Sequence, residues 1–229
     1  MSENQSVTLP PAILSFDIES EMVSDWRNRE ATNILYAGWI EYRFDHKSNW
    51  YTKGKYEWLP AEDMPQKITA RLNSFDGIII GHNLWDFDYR LVWAQFGDLS
   101  AAVAKTCDTL TVLRSLHRGK GLKLDSLARI NFDDSKTTSA ERAIAFYKDP
   151  KMRNLALSYN EHDCDLVFKT WEQMVREQYI DIDAGGYQKR LYVGIAQILA
   201  LTGQSPQMTA ARFVKKYPAV VNDINMTAA

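Results

Sequence analysis

The sequence predicts an α/β fold: a mixed β-sheet flanked by helices, with a helical C-terminal extension. Three observations predict it. Strand-like segments at hairpin spacing come first, at residues 13–20, 34–42 and 50–58. A segment of helical period then feeds the short apolar run Ile78-Ile79-Ile80, as a buried parallel strand requires. Beyond residue 108 helical patterning predominates. Hairpins first and helix-connected strands later combine antiparallel and parallel pairs in one sheet.

Length and composition fit this class. The 229 residues, 45% hydrophobic and 24% charged, suffice for one generous domain or a domain with a small appendage. A net charge of -2 gives no overall pull toward nucleic acid, so any such binding must come from a local basic patch or from bound metal. Cys107 and Cys164 are too isolated for a zinc site or a disulfide framework and read as reduced, intracellular thiols. Residues 1–11 are polar, end in Pro-Pro and read as a flexible N-terminus. With no basic-then-apolar leader and no apolar run of membrane-spanning length, the expectation is a cytoplasmic protein without a membrane partner.

In chain order, the first strand is Ile, Leu and Phe rich and ends in Asp17-Ile18-Glu19. Residues 21–32 are polar and loop-like. Residues 34–42 and 50–58 carry β-branched and aromatic side chains suited to a pleated surface, with residues 45–49 as the turn and Lys53-Gly54-Lys55 as a potential break. Residues 64–75 repeat apolar positions at Ile68, Leu72 and Phe75, which predicts a helix leading into the strand at 78–80. A helix over 86–96, a strand end at 105–108 and a long helix over 157–179 follow. The Gly185-Gly186 pair marks a boundary between a main domain, 12–184, and an extension, 185–229. In that extension helices are expected over 187–201 and 208–217, the second announced by Ser205-Pro206. The extension either packs on the main domain or meets a protein partner.

Three stretches carry candidate chemistry. A strand projects Asp17 and Glu19 to the same side, where two acids repel each other. Either a divalent cation held by oxygen ligands lies between them, or the strand end is merely solvated. The strand at 78–80 runs into Gly81-His82-Asn83-Leu84-Trp85-Asp86-Phe87-Asp88, at the sheet edge where open α/β folds place ligands. Of its two acids, Asp88 is assigned to the site and Asp86 to the helix N-cap. In the long helix, Tyr159 and Asp163 are one turn apart on one face. Asp108 reads as a helix N-cap and Asp133-Asp134 as loop acids.

Taken together, Asp17-Ile18-Glu19, Gly81-His82-Asn83 with Phe87-Asp88, and Tyr159 with Asp163 resemble the three motifs of the DEDD (DnaQ-like, RNase H-like) 3′-5′ exonuclease superfamily. The Asn83-x4-Asp88 spacing is similar to that of the proofreading exonuclease domain of family-B DNA polymerases. Cys107-Asp108-Thr109-Leu110 and the stretch from Gly121 to Ala128 fit the same relatives. Tyr159 four residues before Asp163 resembles the tyrosine (DEDDy) subgroup; His162, directly before Asp163, is read as a surface or packing residue. The likeness covers about residues 12–178 and leaves the loop 21–32 and the tail after 186 uncovered.

The resemblance implies an RNase H-like sheet and a two-metal hydrolysis of phosphodiesters with Mg2+ or Mn2+, one ion activating water and the other stabilising the leaving 3′-oxygen. It implies that Asp17 bridges both ions, that Glu19 and Asp163 serve the water-activating one, and that Asp88 acts mainly through the other. Tyr159 orients the attacking water, since its unperturbed pKa near 10 makes it a poor base. A single-stranded DNA 3′ end is the expected substrate, with a 3′-5′ exoribonuclease acting on RNA, or a non-catalytic nucleic-acid-binding module, as the alternatives. Near the terminal nucleotide, Asn83 and the backbone of Ile18 and Ser20 are implied contacts. Phe87 and Trp85 are candidates for base stacking, Trp85 equally for core packing. Within the dense basic run 114–123, Arg118, Lys120 and Lys123 either meet upstream phosphates or form a solvated loop.

Overall fold

A computed structural model describes residues 7–222. Five of its strands are Ala12–Ser20 (β1), Ile34–Asp45 (β2), Trp50–Pro60 (β3), Ile78–Gly81 (β4) and Thr106–Asp108 (β5). They form one sheet in the order β3-β2-β1-β4-β5. The β3-β2-β1 half is antiparallel and the β1-β4-β5 half parallel, so the sheet is mixed and β1 lies at its centre. β3 runs through Lys53-Gly54-Lys55 without ending, because a bulge opposite Ile40 and Tyr42 absorbs the irregularity.

The alternation of β1 decides what each face carries. Leu14, Phe16 and Ile18 face a core with helices Lys67–Ser74 (α1), Asp88–Phe96 (α2) and Ser100–Ala104 (α3). Ile13 belongs to the opposite core, and Ser15 and Asp17 on its side of the strand bond to the long helix Arg153–Arg176 (α7). Helices Thr109–Leu116 (α4) and Leu124–Phe132 (α5) share that second core, and Ala140–Lys148 (α6) leads into α7.

α7 has 24 residues and is therefore about 36 Å long. That length lets one helix tie distant parts together. Near its start the Ala156 carbonyl accepts from the Tyr36 hydroxyl at 2.9 Å; near its end the buried Trp171 indole donates to the Leu201 carbonyl at 2.7 Å. Between them Ser15 donates to the Cys164 carbonyl at 2.6 Å, which fixes the helix over β1.

The segment 187–201 departs from the single helix expected there. It is a strand, Gln188–Tyr192 (β7), followed by a helix, Ile195–Leu201 (α8). Gly185 and Gly186 adopt positive φ (95° and 99°), and both donate to Asp183 Oδ1, which turns the chain back on Tyr179–Asp183 (β6). The resulting β6–β7 hairpin is a separate two-stranded sheet. Helices Ala210–Lys216 (α9) and Ala219–Asn222 (α10) follow, α9 capped by Thr209. Phe213, Tyr217 and Val220 pack into the core that contains α2.

At the N-terminus, residues 1–6 of the expected flexible segment lie outside the described residues, as do residues 223–229 of the extension. Pro10 and Pro11 are not loose: their carbonyls accept from the Tyr51 hydroxyl at 2.5 Å and the Phe44 amide at 3.0 Å. Among the described residues no helix is long and apolar enough to cross a membrane.

Gly38 pairs with Asp17 across β1 and β2, and a Cβ there would stand 1.9 Å from Asn160 Oδ1 and 2.4 Å from the Tyr56 hydroxyl. Gly38→Ala is therefore expected to destabilise the protein by about 1–3 kcal/mol, as overpacking of a filled interior does. Urea unfolding of the two proteins measures it; an unchanged midpoint would contradict this packing.

Candidate metal and nucleic-acid site

Asp17 and Glu19 stand on the α7 side of β1, where α7 delivers Tyr159 and Asp163. Carboxylate oxygens of Asp17, Glu19 and Asp163 all lie within 4.8 Å of one another. Asp163 and Glu19 are buried, Asp17 half-buried. Asn160, fully buried, donates to Asp17 Oδ2 at 2.8 Å and accepts from the Tyr56 hydroxyl at 2.9 Å, so β3 helps hold the Asp17 carboxylate in place. Asp88, at the first position of α2, lies outside this trio. Its Oδ1 accepts from the Ile18 amide at 3.1 Å, which locks the α2 N-terminus to β1 between the two acids.

So much acid in so little space shifts its protonation. Burial, then the neighbouring Asp163, raises the Asp17 carboxyl to about 7, against the pull of Lys136. Burial and the adjacent acids hold Glu19 well above the usual range, and burial with Asp17 does the same to Asp88. Asp163 is also raised by burial, while Lys136 opposes the rise. Lys136, in the loop between α5 and α6, joins the acid cluster although sequence reading did not single it out. Its ammonium bonds Asp163 Oδ2 and donates to the Tyr159 hydroxyl at 3.1 Å. Burial works against its charge, but Asp163, Tyr159 and Asp17 more than compensate and keep it protonated. The sequence signal was thin: an isolated lysine in a polar loop.

Asp163 Oδ1 is buried and has no hydrogen-bond partner. A buried carboxylate oxygen without a donor is costly unless something positive reaches it. The donor set is all oxygen, which suits a hard divalent cation such as Mg2+ or Mn2+. The residues present therefore fit a divalent ion held by Asp17, Glu19 and Asp163. Burial raises the Tyr159 hydroxyl above its ordinary range, which leaves it a hydrogen-bonding group rather than a base.

The turn between β4 and α2 is latched by Asp108. Its carboxylate accepts from the amides of Asn83 and Trp85, each at 3.1 Å, and caps α4 through the Thr111 amide at 3.2 Å. Asn83 is held at φ 78°, a left-handed conformation that Asn tolerates. Asp86 is not the α2 cap. Its carboxylate takes Arg114, Lys216 and Tyr217 instead, because the tail packs across this turn. Trp85 is not available for stacking either: it is 2% exposed and packs against Tyr89 and Phe213. Phe87 is half-buried beside Trp26. The Ile18 amide is spent on Asp88, and Ser20 is buried with its hydroxyl on the Glu21 carbonyl.

A groove of about 1370 Å³ opens from Asp17, Tyr159 and Lys136, and its lining includes Asn83, Arg114, Arg118, Lys120 and Lys123. The basic loop is thus joined to the acids by one continuous surface. Half-buried His82 braces that loop, with Nε2 donating to the Leu122 carbonyl at 2.8 Å; desolvation holds its pKa down to about 4, so the ring stays neutral. His162 lies apart, half-buried against Asp134 and the Ser135 carbonyl, in keeping with a packing role.

No family model matches the sequence, and comparison with curated proteins gives no match. Among solved structures, the chain is similar to the family B DNA polymerase from the hyperthermophilic archaeon Pyrobaculum calidifontis: TM-score 0.56, 13% identity, over 96% of this chain and 30% of that one. It is also similar to E. coli exonuclease I in complex with a dT13 oligonucleotide: TM-score 0.41, 14% identity, over 72% of this chain and 44% of that one. The chain thus spans less than half the length of either. The polymerase match and the mixed sheet agree with the RNase H-like fold.

Two tests address the acid cluster. Because Asp17 is raised from 3.8 to about 7 in the folded protein, the native state binds more protons than the unfolded one in that interval. Its contribution to stability is then full below about pH 4 and lost as pH rises through about 7. In EDTA, the melting temperature of the wild type should fall across this window relative to that of Asp17→Asn, which stays neutral; parallel profiles would contradict the shift. Second, Lys136→Ala strands the buried Asp163 carboxylate and is expected to cost about 2 kcal/mol or more without metal. Millimolar Mn2+ should raise the melting temperature of this variant more than that of the wild type; an equal or smaller rise would show that Lys136 does not offset the acids.

Proposed function

We propose that this protein is a metal-dependent 3′-5′ exonuclease acting on single-stranded DNA. The observation that carries the reading is the carboxylate trio of Asp17, Glu19 and Asp163, with the unpartnered Asp163 oxygen, at the head of a groove lined by Arg114, Arg118, Lys120 and Lys123. The order and spacing of the motifs, and a fold shared with a family B DNA polymerase, support the same reading and favour DNA.

Each side chain has a role in this account. Divalent cations, when bound, supply the charge that stabilises a phosphodiester displacement and promotes ionisation of water. Asp17, Glu19 and Asp163 hold that charge, and the Asn160 amide keeps the Asp17 carboxylate aimed at it. Asp88 fixes the β1 backbone through the Ile18 amide and is the fourth acid of the set. The Tyr159 hydroxyl, fixed by Lys136, orients the attacking water rather than taking its proton. Lys136 places a permanent positive charge beside the site. Arg118, Lys120 and Lys123 meet the phosphates of the strand upstream of the scissile bond.

The test is a time course on 5′-labelled single-stranded DNA and RNA of one sequence, with Mg2+, Mn2+ or EDTA. Wild type should give a metal-dependent ladder shortening from the 3′ end, faster on DNA. Asp17→Ala should give none, and Tyr159→Phe should slow it by about 10- to 100-fold without losing Mn2+ binding. Faster loss of RNA would make this an exoribonuclease. Binding without a ladder would leave a non-catalytic nucleic-acid module.

A further inference from the structure

One wall of the groove is built by a part of the chain that the chemistry above does not use. The turn of the β6–β7 hairpin supplies Asp183 and Gly185 to the same lining as the basic loop. There the two segments touch: a Cβ on Gly121 would stand 2.0 Å from the Asp183 carbonyl oxygen. The hairpin is firmly held behind that contact. Ile180 and Ile182 are buried in the second core, and the Asn131 side chain of α5 accepts from the Asp181 amide at 2.9 Å and donates to the Asp181 carbonyl at 2.8 Å. Across the turn, and sharing Asp183 with the groove, lies a smaller cavity of about 340 Å³, lined by Ile130, Asp183, Gly186, Tyr187 and Gln188.

Tyr187, on a hairpin fixed in this way, is 63% exposed, and half-buried Ile130 adds a second apolar group to the cavity. A ring held out in water on a rigid support marks a binding surface when it adjoins a site. The chemistry narrows the occupant. The cavity is at the small end of ligand pockets and suits one planar group, not the apolar face of a partner helix. Its cations lie on the groove side, where Arg118, Lys120 and Lys123 line the wall that meets the turn. The nearby negative charge, Asp183, is engaged by the Gly185 and Gly186 amides. An aromatic slot beside a cationic channel fits a nucleobase whose phosphates lie in that channel, and the Gln188 amide can meet the polar edge of the base. We infer that the tip of the β6–β7 hairpin is a second site for the single strand, where Tyr187 stacks on one nucleobase while Lys120 and Lys123 hold its flanking phosphates. With the 3′ end at the acids, the base held here is upstream of the scissile bond. The inference rests on the exonuclease reading and deepens it: it adds a subsite on the tail that the motif resemblance leaves uncovered, and it makes affinity depend on strand length.

The experiment separates the two. Binding of 5′-labelled thymidine oligonucleotides of about 3 to 16 nucleotides is followed by fluorescence anisotropy in an Asp17→Ala background, alone and with Tyr187→Ala or Tyr187→Phe. In the longest strand a single abasic site is also moved position by position from the 3′ end. Shortening of the longest strand is measured for wild type. Affinity of the Asp17→Ala parent should step up once the strand is long enough to enter the cavity. Tyr187→Ala should weaken binding of the longest strand at least about fivefold, the lower end of what loss of a stacking aromatic causes, and that of the shortest below about twofold. Tyr187→Phe should retain most of the affinity. One internal abasic position should cost the parent about as much as Tyr187→Ala does, and cost the Tyr187→Ala variant nothing further.

A smaller loss on the longest strand, an equal loss on long and short strands, or abasic effects confined to the two 3′-terminal positions would overturn the hairpin site. If wild type shortens DNA while any of these is found, only this inference fails. If wild type neither shortens nor binds any strand, the exonuclease reading fails and takes the inference with it.

Discussion

The repulsion among Asp17, Glu19, Asp163 and Asp88 is the constraint to which much of the surrounding structure answers. Like charges this close, and largely out of water, do not remain ionised unaided, so their protonation rises and their geometry has to be imposed from outside. The imposing groups come from all sides. β1 fixes the spacing of the first two acids, α7 brings the third, and the Ile18 amide clamps the fourth. Lys136 brings in the positive charge, and Asn160 provides a neutral donor where a second cation would compete with metal.

That constraint also explains why parts remote in sequence converge on the β4–α2 turn. Asp108 latches the turn from the start of α4, and Gln207 in the tail accepts from both the Asp108 amide at 2.9 Å and the Trp85 indole at 3.4 Å. Phe213 and Tyr217 cover the outer side of α2. The tail is therefore part of the scaffold that presents Asn83, Phe87 and Asp88. A loosened tail would reach the site through Trp85 and Asp86, both of which it contacts.

The parts of this arrangement legible in the sequence are those governed by local periodicity. Alternation put Asp17 and Glu19 on one side of a strand, and the one-turn spacing put Tyr159 beside Asp163; both are consequences of backbone geometry alone. Asp108 was readable as a cap, though its latch on the Asn83 and Trp85 amides depends on where β5 lies beside β4. What failed depended on tertiary contact. Asp86 was misassigned, and Trp85 left open between stacking and core packing, because the tail that pairs with the one and buries the other is more than a hundred residues away. Lys136 escaped notice because nothing in its own neighbourhood distinguishes it until the α5–α6 loop folds over α7. The strand at 188–192 was hidden because its outward residues, Gln188, Lys189 and Arg190, carry little apolar signal, and the turn formed by Gly185 and Gly186 made the decision instead.

The distribution of charge reconciles an acidic protein with the polyanionic ligand that the proposed function requires. A net charge of -2 forbids long-range attraction, yet Arg114, Arg118, Lys120, Lys123 and Lys136 all line one groove. Within a Debye length of about 8–10 Å it is this local set, not the total, that a phosphate encounters. The acids at the head of the groove would repel the same strand if fully ionised. Their raised pKa values and the Lys136 ammonium lower that repulsion before metal arrives, and bound cations would reverse its sign. The groove thus presents positive potential along its basic loop in either state, while its acidic end becomes attractive only when loaded. In the proposed reading, substrate placement at the acids is in this way coupled to metal.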